Sequence, residues 1–524
     1  MKTTTIIKRI LTLLFLFFTF LISAQEYCDY DNPTPIDFGM GAENVNDTPY
    51  DLIELSDGKF MVIGDAVFGN FDYRVAIARL NANSTLDTTF GTNGHITMHW
   101  EARNNCINAT LQDDGKILIG GYQAPGNAFS SMRCYIARLM GNGSPDTTFG
   151  INGNVKINAR GIVVEINQKQ DGKIQALVTT ISTPGDILTT GYEIHQFDEF
   201  GNYDNTFGSN GRVHHAIPNV PYSVVSGDGL FLENGSFIIV GKVISDFPKP
   251  CIAKLTPEGD LDTNFAAGGI LYIEVPIVGG DFAISAKLTS EEDIIIVATS
   301  DFPQPHKYLI FKVNGETGEL DSDFGNNGVL ESTDGSNFHE VFDVVINPAT
   351  ENILVVGQAW NGVNGRASAI WHVSAGGEEI ENCAGNSLQV FPFISDNKYR
   401  AAIFSSDGEL RILGQIWAIP DETSPSVSQY QNFMIPGILN TTGIEIITEN
   451  SFSIFPNPVE NRITISTKNR EPIDVLNIYN QLGQQVLHEN NVVNAIDVSN
   501  LPKGIYIIEL VSGNSTFKKK MIKS

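Results

Sequence analysis

Two short motifs recur along this chain at one spacing, and a spacing held that long leaves few folds open. A tight-turn tripeptide ahead of an apolar run stands at Asp57-Gly58-Lys59, Asp114-Gly115-Lys116 and Asp171-Gly172-Lys173. Looser copies stand at Asn234-Gly235-Ser236, Glu291-Glu292-Asp293 and Thr350-Glu351-Asn352, and a better one at Asp407-Gly408-Glu409. The intervals are 57, 57, 63, 57, 59 and 57 residues. An Asp-x-x-Phe marker recurs at Asp87/Phe90, Asp146/Phe149, Asp204/Phe207, Asp262/Phe265 and Asp321/Phe324, at intervals of 59, 58, 58 and 59. Gly91, Gly150, Gly208 and Gly325 directly follow the marker Phe and let the chain bend before a last strand.

Each unit reads as four short strands, in the second unit Ile107–Leu111, Ile117–Gly120, Tyr135–Leu139 and Asn154–Ile157. Asp-Gly suits a tight hairpin turn because glycine accepts positive φ. The marker Asp can accept N–H bonds in its own turn, and the Phe is an apolar plug for the space between neighbouring sheets. Units of roughly 58 residues, repeated seven times, predict an all-β chain built as a seven-bladed β-propeller. A long polar residue stands eight positions before the marker Asp at Arg79, Arg138, Gln196 and Lys254, and Lys312 stands nine before Asp321. The sixth unit has His372 there and lacks the marker, so the two groups are expected to pair within each unit. The seventh unit lacks its last piece, which reappears as Ile36-Asp37-Phe38-Gly39 ahead of the first unit. The N-terminal segment is therefore expected to supply the outer strand of the last blade, protecting sheet edges.

Lys and Arg number 33 against 60 Asp and Glu, a net charge of −27. Such a surface repels nucleic acid and anionic membranes, and neither partner is expected. Lys2, Lys8 and Arg9 precede an apolar run from Ile10 to Ile22, with Ser23-Ala24 before polar Gln25. The run is shorter than a bilayer needs and reads as a signal peptide over residues 1–24, cut between Ala24 and Gln25. No second stretch of spanning length follows, so the mature form is expected to have no membrane span. Export permits disulfides; among the five cysteines, Cys28 with Cys383 and Cys106 with Cys134 are candidate pairs, and Cys251 reads as a buried thiol.

The units resemble the delta-60 repeats of bacterial secreted proteins over residues 36–440. The resemblance rests on the Asp-Gly-Lys turn, the Ile77–Leu80 and Ile136–Leu139 strands and the Leu-Asp-Thr-Thr-Phe-Gly-Thr-Asn-Gly stretch at 86–94. It implies propeller architecture and brings no catalytic residues. After Thr441 the period stops, and residues 441–451 read as a linker. Residues 452–524 alternate as a small β-sandwich, with strands at Arg462–Ser466 and Ile473–Tyr479. Their Pro456-Asn457-Pro458 start, the turn at Gly483, the Leu-Pro-x-Gly-Ile-Tyr strand with Gly504 and Tyr506, and the basic end at Lys518, Lys519 and Lys520 resemble the type A C-terminal sorting domain of the type IX secretion system. That resemblance implies recognition by the secretion machinery and passage to the outer surface or exterior of a Gram-negative cell.

Catalytic patterns are scarce: the chain has no G-x-S-x-G, no H-E-x-x-H, no phosphate-binding glycine loop and no Cys/His cluster. His214 and His215 are strand neighbours that point to opposite faces and make poor joint metal ligands. Asp321-Ser322-Asp323 with Asn326-Asn327-Gly328 has the oxygen density calcium favours, but it overlaps the marker and reads first as a turn cap. No cofactor is expected. Trp360, Trp371 and Trp417 suit either sugar stacking or the core, with the core favoured. The balance favours a non-enzymatic module binding an extracellular glycan or protein. The alternative is a secreted hydrolase or lyase acting on glycan or peptide, with its carboxylates in the central channel. The 63-residue interval and the loop between Ala418 and Gln431 are where a site is first expected.

Overall fold

The computed structural model describes residues 34–36, 46–68, 72–101, 103–125, 132–180, 191–216, 224–243, 249–275, 284–299, 307–332, 339–360, 366–381, 387–391, 397–418, 429–437, 452–455, 459, 461–467, 473–480, 485–492, 495–512 and 515–523. Ala24, Gln25, Cys28, Cys383, Pro456, Asn457, Pro458, Gly483 and most of the Ala418–Gln431 loop lie outside them. The chain divides into two compact units, Met1–Thr441 and Thr442–Ser524. Every regular element among the described residues is a β-strand, as the alternating apolar runs and turn residues predict.

The larger unit repeats one motif. Its first antiparallel sheet joins Asn46–Glu54, Phe60–Phe68, Asp72–Leu80 and His95–Met98. The second joins Arg103–Leu111, Ile117–Ala124, Arg133–Leu139 and Asn154–Lys156, and touches the first through one parallel bridge, Tyr73 to Arg103. The third to sixth sheets begin at Gly161–Gln168, Val224–Phe231, Ile284–Leu288 and His339–Ile346 and follow the same order. The seventh takes Asn397–Phe404, Leu410–Ala418 and Gln429–Gly437 from one end of the chain and Thr34–Ile36 from the other. Thr34, Pro35 and Ile36 pair antiparallel with Met434, Phe433 and Asn432, so the chain's beginning supplies the outer strand of its last sheet.

Second strands such as Ile117–Ala124 and Ile294–Thr299 are buried at every residue, the mark of a strand covered on both faces. The core accordingly lies in layers between successive sheets. Phe90 and Tyr135 fill the layer between the first and second, Phe149 and Phe197 the next, and Leu52, Phe60, Ala401 and Leu413 join the first sheet to the seventh. Phe207 belongs to the layer between the third and fourth sheets, Phe265 to that between the fourth and fifth, and Phe324 to that between the fifth and sixth. All five marker phenylalanines, Phe90, Phe149, Phe207, Phe265 and Phe324, are thus buried. Each spends its ring on the neighbouring sheet, as an apolar plug between sheets should.

Cys106 belongs to the layer before the second sheet and Cys134 to the layer after it. They face opposite sides of one sheet, so the expected Cys106–Cys134 pairing is corrected: both are buried free thiols, as is Cys251, whose thiol burial pushes up to about 12.

The loose copies of the turn keep its geometry. Gly58, Gly115, Gly172, Gly235 and Gly408 have φ of 75°, 80°, 83°, 85° and 82°, and Glu292 and Glu351 hold the same left-handed position at 61° and 58°. Backbone pairing thus sets the turn even where the sequence lacks glycine.

The marker joins each sheet to itself and to the next. Asp87 accepts Arg79 Nε at 2.8 Å, Asp146 accepts Arg138 Nε at 2.9 Å, Asp204 accepts Gln196 Nε2 at 2.8 Å, and Lys312 Nζ lies 2.9 Å from Asp321. Lys254 stands further off, at 4.0 Å from Asp262. The lysine of the turn tripeptide arrives at the same carboxylate: Lys59 reaches Asp87 at 2.9 Å and Lys173 reaches Asp204 at 2.8 Å. The two periodic motifs therefore meet in space. The second carboxylate oxygen caps the turn, accepting the Thr89 and Thr148 amides at 3.0 Å. Thr89 and Lys59 hold the Asp87 carboxyl well below its usual range, and Lys173 with Thr206 does the same for Asp204. Asp321 is held low chiefly by Lys312 and caps the Asp323 amide.

The cation also reaches the following sheet. Arg79 Nη1 donates to Gly141 O at 2.9 Å, Arg138 Nη1 to Glu199 O at 2.6 Å and Lys254 Nζ to Gly315 O at 2.7 Å. Beneath it lies the marker Phe, with the Arg138 guanidinium 4.6 Å from the Phe149 ring centre and Lys254 Nζ 5.9 Å from that of Phe265. Gly143 of the next unit lies on Phe90; a Cβ there would come within 2.6 Å of the ring. In the sixth unit His372 replaces the cation. Burial lowers its pKa to about 4, so a neutral ring stands where the carboxylate partner is absent.

A different carboxylate joins the first two sheets. Asp65 accepts the Cys106 amide at 3.0 Å and the Asn105 side-chain amide, with Tyr50 as a further hydrogen-bond partner. Burial outweighs these bonds and lifts its pKa to about 8.

The smaller unit pairs Phe452–Phe455, Arg462–Thr467 and Ala495–Asp497 in one sheet. A second sheet runs Gln485–Val492, Ile473–Tyr479, Gly504–Ser512, Ser515–Lys523. Ile463, Leu476, Ile478, Ile508 and Leu510 form its core, and Tyr506 donates its hydroxyl to Pro502 O at 2.7 Å. Lys518, Lys519 and Lys520 pair with Glu509, Ile508 and Ile507 along the last strand.

Arg138 and Asp146 are both nearly buried, so Arg138→Met leaves a buried carboxylate with weaker partners. The loss expected in urea unfolding is about 3 kcal/mol, the low end for breaking such a pair because Thr148 still caps Asp146. An unchanged midpoint would show the pair to be idle. Asp65 gives the opposite pH signature to the marker carboxylates. Its folded pKa of about 8 lies above its unfolded value, so the folded state holds the extra proton. The stability this contributes is complete below about pH 4 and is lost as pH rises toward 8. Melting curves at pH 6 and pH 9 should differ less for Asp65→Asn than for the parent chain.

Candidate functional site

The first strand of a sheet carries a β-bulge at one recurring place, with register shifts before Asp51, Asn108, Glu165, Asp228, Asp343 and Ala401. In the fifth sheet Ser285 holds the equivalent place, opposite Val297. A bulge re-aims its side chain and frees backbone groups from the ladder. Here those groups are captured between sheets. Asp51 accepts its neighbour Leu52 N at 2.8 Å and Ala109 N of the second sheet at 2.9 Å. Asp228 accepts Gly229 N at 2.9 Å and Ala286 N of the fifth sheet at 3.0 Å. Asp343 accepts Val344 N at 2.8 Å and Ala402 N of the seventh at 3.0 Å. Asn108 donates to Val163 O of the third at 2.9 Å. Ser285 Oγ lies 3.1 Å from Asp228 and 3.4 Å from Asp343, linking the sheets on either side of its own.

Lys287, two residues on, reports how these strands are arranged. Burial disfavours its ammonium, yet Asp343, Asp228, Glu165 and Asp51 together raise its pKa. Those four carboxylates belong to the sixth, fourth, third and first sheets, so first strands from across the unit converge on one space. Glu165 differs from the three aspartates. Its backbone partner is the adjacent Ile166 amide, and burial, then the Asp228 charge, lifts its pKa well above the usual carboxylate range. Burial raises Asp343 to about 6 and raises Asp51 too, against the pull of their amide donors. The space therefore holds one ammonium, Lys287, beside Glu165 and three aspartates whose oxygens take amides from two sheets. Among the described residues no group of three or more His, Cys, Asp or Glu is placed to hold a metal ion.

Sequence reasoning missed these residues, although a signal exists. Asp51, Asn108, Glu165, Asp228 and Ser285 each stand six residues before the first residue of their turn tripeptide, a polar position inside an otherwise apolar strand.

A second group lies at the end where the first strands begin. The Arg103 guanidinium sits 4.4 Å from the Tyr73 ring centre and 5.7 Å from that of Tyr122, and donates to Asn105 Oδ1 at 3.0 Å and Tyr122 Oη at 3.3 Å. Arg400 and Lys398 lie 4.6 and 5.6 Å from the Phe342 ring centre. Tyr50 connects the two: burial raises its pKa, Asp65 adds to that, and the Arg400 charge works against it. Arg160 directly precedes Gly161–Gln168, where the third sheet's first strand begins. Its Nε and Nη1 are out of reach of solvent and have no hydrogen-bond partner.

Of the His214-His215 pair, the His214 side chain is described. It lies 3.3 Å from Glu193, which also takes His195 Nε2 at 2.8 Å, while His195 Nδ1 is 3.1 Å from the Tyr203 hydroxyl. The His215 side chain lies outside the described residues. Trp371 is fully buried and donates to Glu379 at 3.0 Å, a core residue as favoured; the Trp360 and Trp417 side chains lie outside the described residues.

Two family models match parts of the chain: the secretion system C-terminal sorting domain at residues 453–524, and a β-propeller domain of unknown function at residues 55–90 and 112–149. No curated protein matches significantly. Among solved structures, the chain is similar to PorZ, described as a surface component of the type IX secretion system of Porphyromonas gingivalis, at 12 % identity and a TM-score of 0.40 over 91 % of this chain and 59 % of that one. It thus spans about three fifths of PorZ's length. A polysaccharide lyase described as an ulvan lyase gives 12 % and 0.41 over 75 % and 94 %, and the propeller domain of a protease from Pyrococcus furiosus gives 10 % and 0.38 over 75 % and 96 %. No helix among the described residues is long and apolar enough to cross a membrane. The sorting domain marks the chain as one handled by the type IX machinery and secreted to the cell surface or exterior.

Proposed function

We propose that this chain is a seven-bladed β-propeller of delta-60-type repeats over residues 25–440, preceded by a cleaved signal peptide. A linker at 441–451 joins it to a sandwich-like sorting domain at 452–524, and the ring binds an extracellular glycan or protein without turning it over. The observation that carries the non-enzymatic reading is the fate of the inner carboxylates. Asp51, Asp228 and Asp343 each take one amide from their own strand and one from the next sheet. An oxygen tied in this way holds the sheets together and is a poor proton carrier or nucleophile. Packing of the first sheet against the seventh supports the ring.

A hydrolase or lyase remains as a second reading because Glu165 and Lys287 stand apart from that bonding. A carboxylic acid with a raised pKa beside an ammonium is the kind of pair that proton transfer uses. The full chain incubated with a glycan and peptide panel should retain ligand without releasing products. New reducing ends or amino termini would end the non-enzymatic reading. Their loss in Glu165→Gln would assign the chemistry to Glu165.

A further inference from the structure

The repeat supplies its own control for Arg160. Arg103 and Arg160 are 57 residues apart and occupy one place in successive units, five residues before Asn108 and Glu165. In the second sheet the guanidinium donates through Nε to Asn105 and through Nη2 to Tyr122, and lies against the Tyr73 ring. The residues at the same spacing in the third unit are Ile162, where the second has Asn105, and Thr179, where it has Tyr122. The arginine is kept, the Asn105 acceptor is lost to an apolar residue, and the long reach of the Tyr122 hydroxyl is replaced by the short side chain of Thr179. Nε and Nη1 of Arg160 accordingly have no partner, an expensive state for buried donors on a cation. The residue as a whole is only half-buried, so rotation of its flexible side chain brings the fork out to an acceptor beyond the protein.

From this we infer that the starting end of the second and third sheets is a binding site for the acid groups of an acidic polysaccharide, with Arg160 as its central contact. The inference rests on the reading of the chain as a binding module. A guanidinium pairs with carboxylate or sulfate through two parallel N–H bonds, which is the acceptor geometry Arg160 lacks. Two arginines one repeat apart stand on adjacent sheets at this end, and a polymer that carries an acid group on successive units can engage both. Arg400 and Lys398, held against Phe342 on the sixth and seventh sheets, extend the cationic arc around the same end. Burial keeps Asp65 largely protonated near neutral pH, so it does not repel an anion there.

Titration calorimetry of the full chain tests this with three polymers: polygalacturonate as the acidic polysaccharide, neutral dextran and poly-glutamate. Polygalacturonate should bind and dextran should not, and Arg160→Gln should weaken the polygalacturonate complex about tenfold or more. Circular dichroism melts accompany each variant. If Arg160→Gln fails to fold, Arg160→Lys, which keeps the charge and loses the fork, should still weaken binding severalfold. Undiminished binding in a folded variant overturns the inference, as does tighter binding of poly-glutamate. If other panel ligands bind and polygalacturonate does not, this site fails while the binding-module reading stands. Bound polygalacturonate that is also cleaved leaves the site in place and ends the non-enzymatic reading.

Discussion

A four-stranded sheet that is apolar on both faces has no stable existence alone, and this constraint governs the larger unit. Ile294–Thr299 is buried at all six positions, three residues toward one neighbour and three toward the other. Each sheet must therefore be sandwiched, and the first and last are left with an open face unless they cover each other. The cluster of Leu52 and Phe60 with Ala401 and Leu413 meets that need. Pairing of Thr34–Ile36 with Gln429–Gly437 follows the same logic at the sheet edge, where an unpaired strand would invite another chain.

Apolar layers set which faces meet but not how far each sheet is turned. The polar contacts supply that at two radii. Near the inner strands, bulge residues trade amide bonds between sheets, as Asp51 does with Ala109. Further out, the marker cation fastens its own turn and then the backbone of the next unit, as Arg138 does with Asp146 and Glu199. These bonds are directional where the apolar contact is not, so the interfaces that carry both, such as that between the second and third sheets, are fixed in orientation. Charge enters because the inner residues are crowded. Four acidic side chains surround Lys287, whose ammonium they favour, and burial together with the Asp228 charge pushes the Glu165 pKa up.

The strands, the turn tripeptides and the pairing of Arg138 with Asp146 were legible in the sequence because each involves neighbours within one unit. Even the weak turns at Glu292 and Glu351 proved genuine, since a hairpin held by its flanking strands imposes positive φ on whatever residue stands there. The marker phenylalanines were legible for the same reason, and Phe207, Phe265 and Phe324 fill their layers as Phe90 and Phe149 do. What escaped notice crosses between units or between the two motifs. Lys59 and Asp87 are 28 residues apart, and nothing in either motif announces that they share an oxygen. Cys106 and Cys134 looked like partners because they share a unit; the faces they point to depend on register, and the bulge at Ile107 changes it. The bulge positions were missed because residue type varies there from Asp to Asn to Ser, so only the spacing carries the signal. The loops expected to bear a site fall largely outside the described residues, and the arginines came to light through their unequal partners instead.

An acidic polymer approaching a chain of net charge −27 is at first sight the wrong ligand. The decision turns on distance. At physiological ionic strength the screening length is about 8 Å, so charges spread over a unit of this size act mainly within their own neighbourhood. A guanidinium in contact with a carboxylate is well inside that range, and most of the acid excess is not. Local pairing adds to this, since Asp87 and Asp204 each stand against a lysine and Asp51, Asp228 and Asp343 point their oxygens at backbone amides. Contact chemistry at the starting ends of the sheets therefore decides binding, and net charge slows the approach. That balance implies association rates that rise with added salt while the lifetime of the complex falls, a split that a ligand held by diffuse attraction would not give.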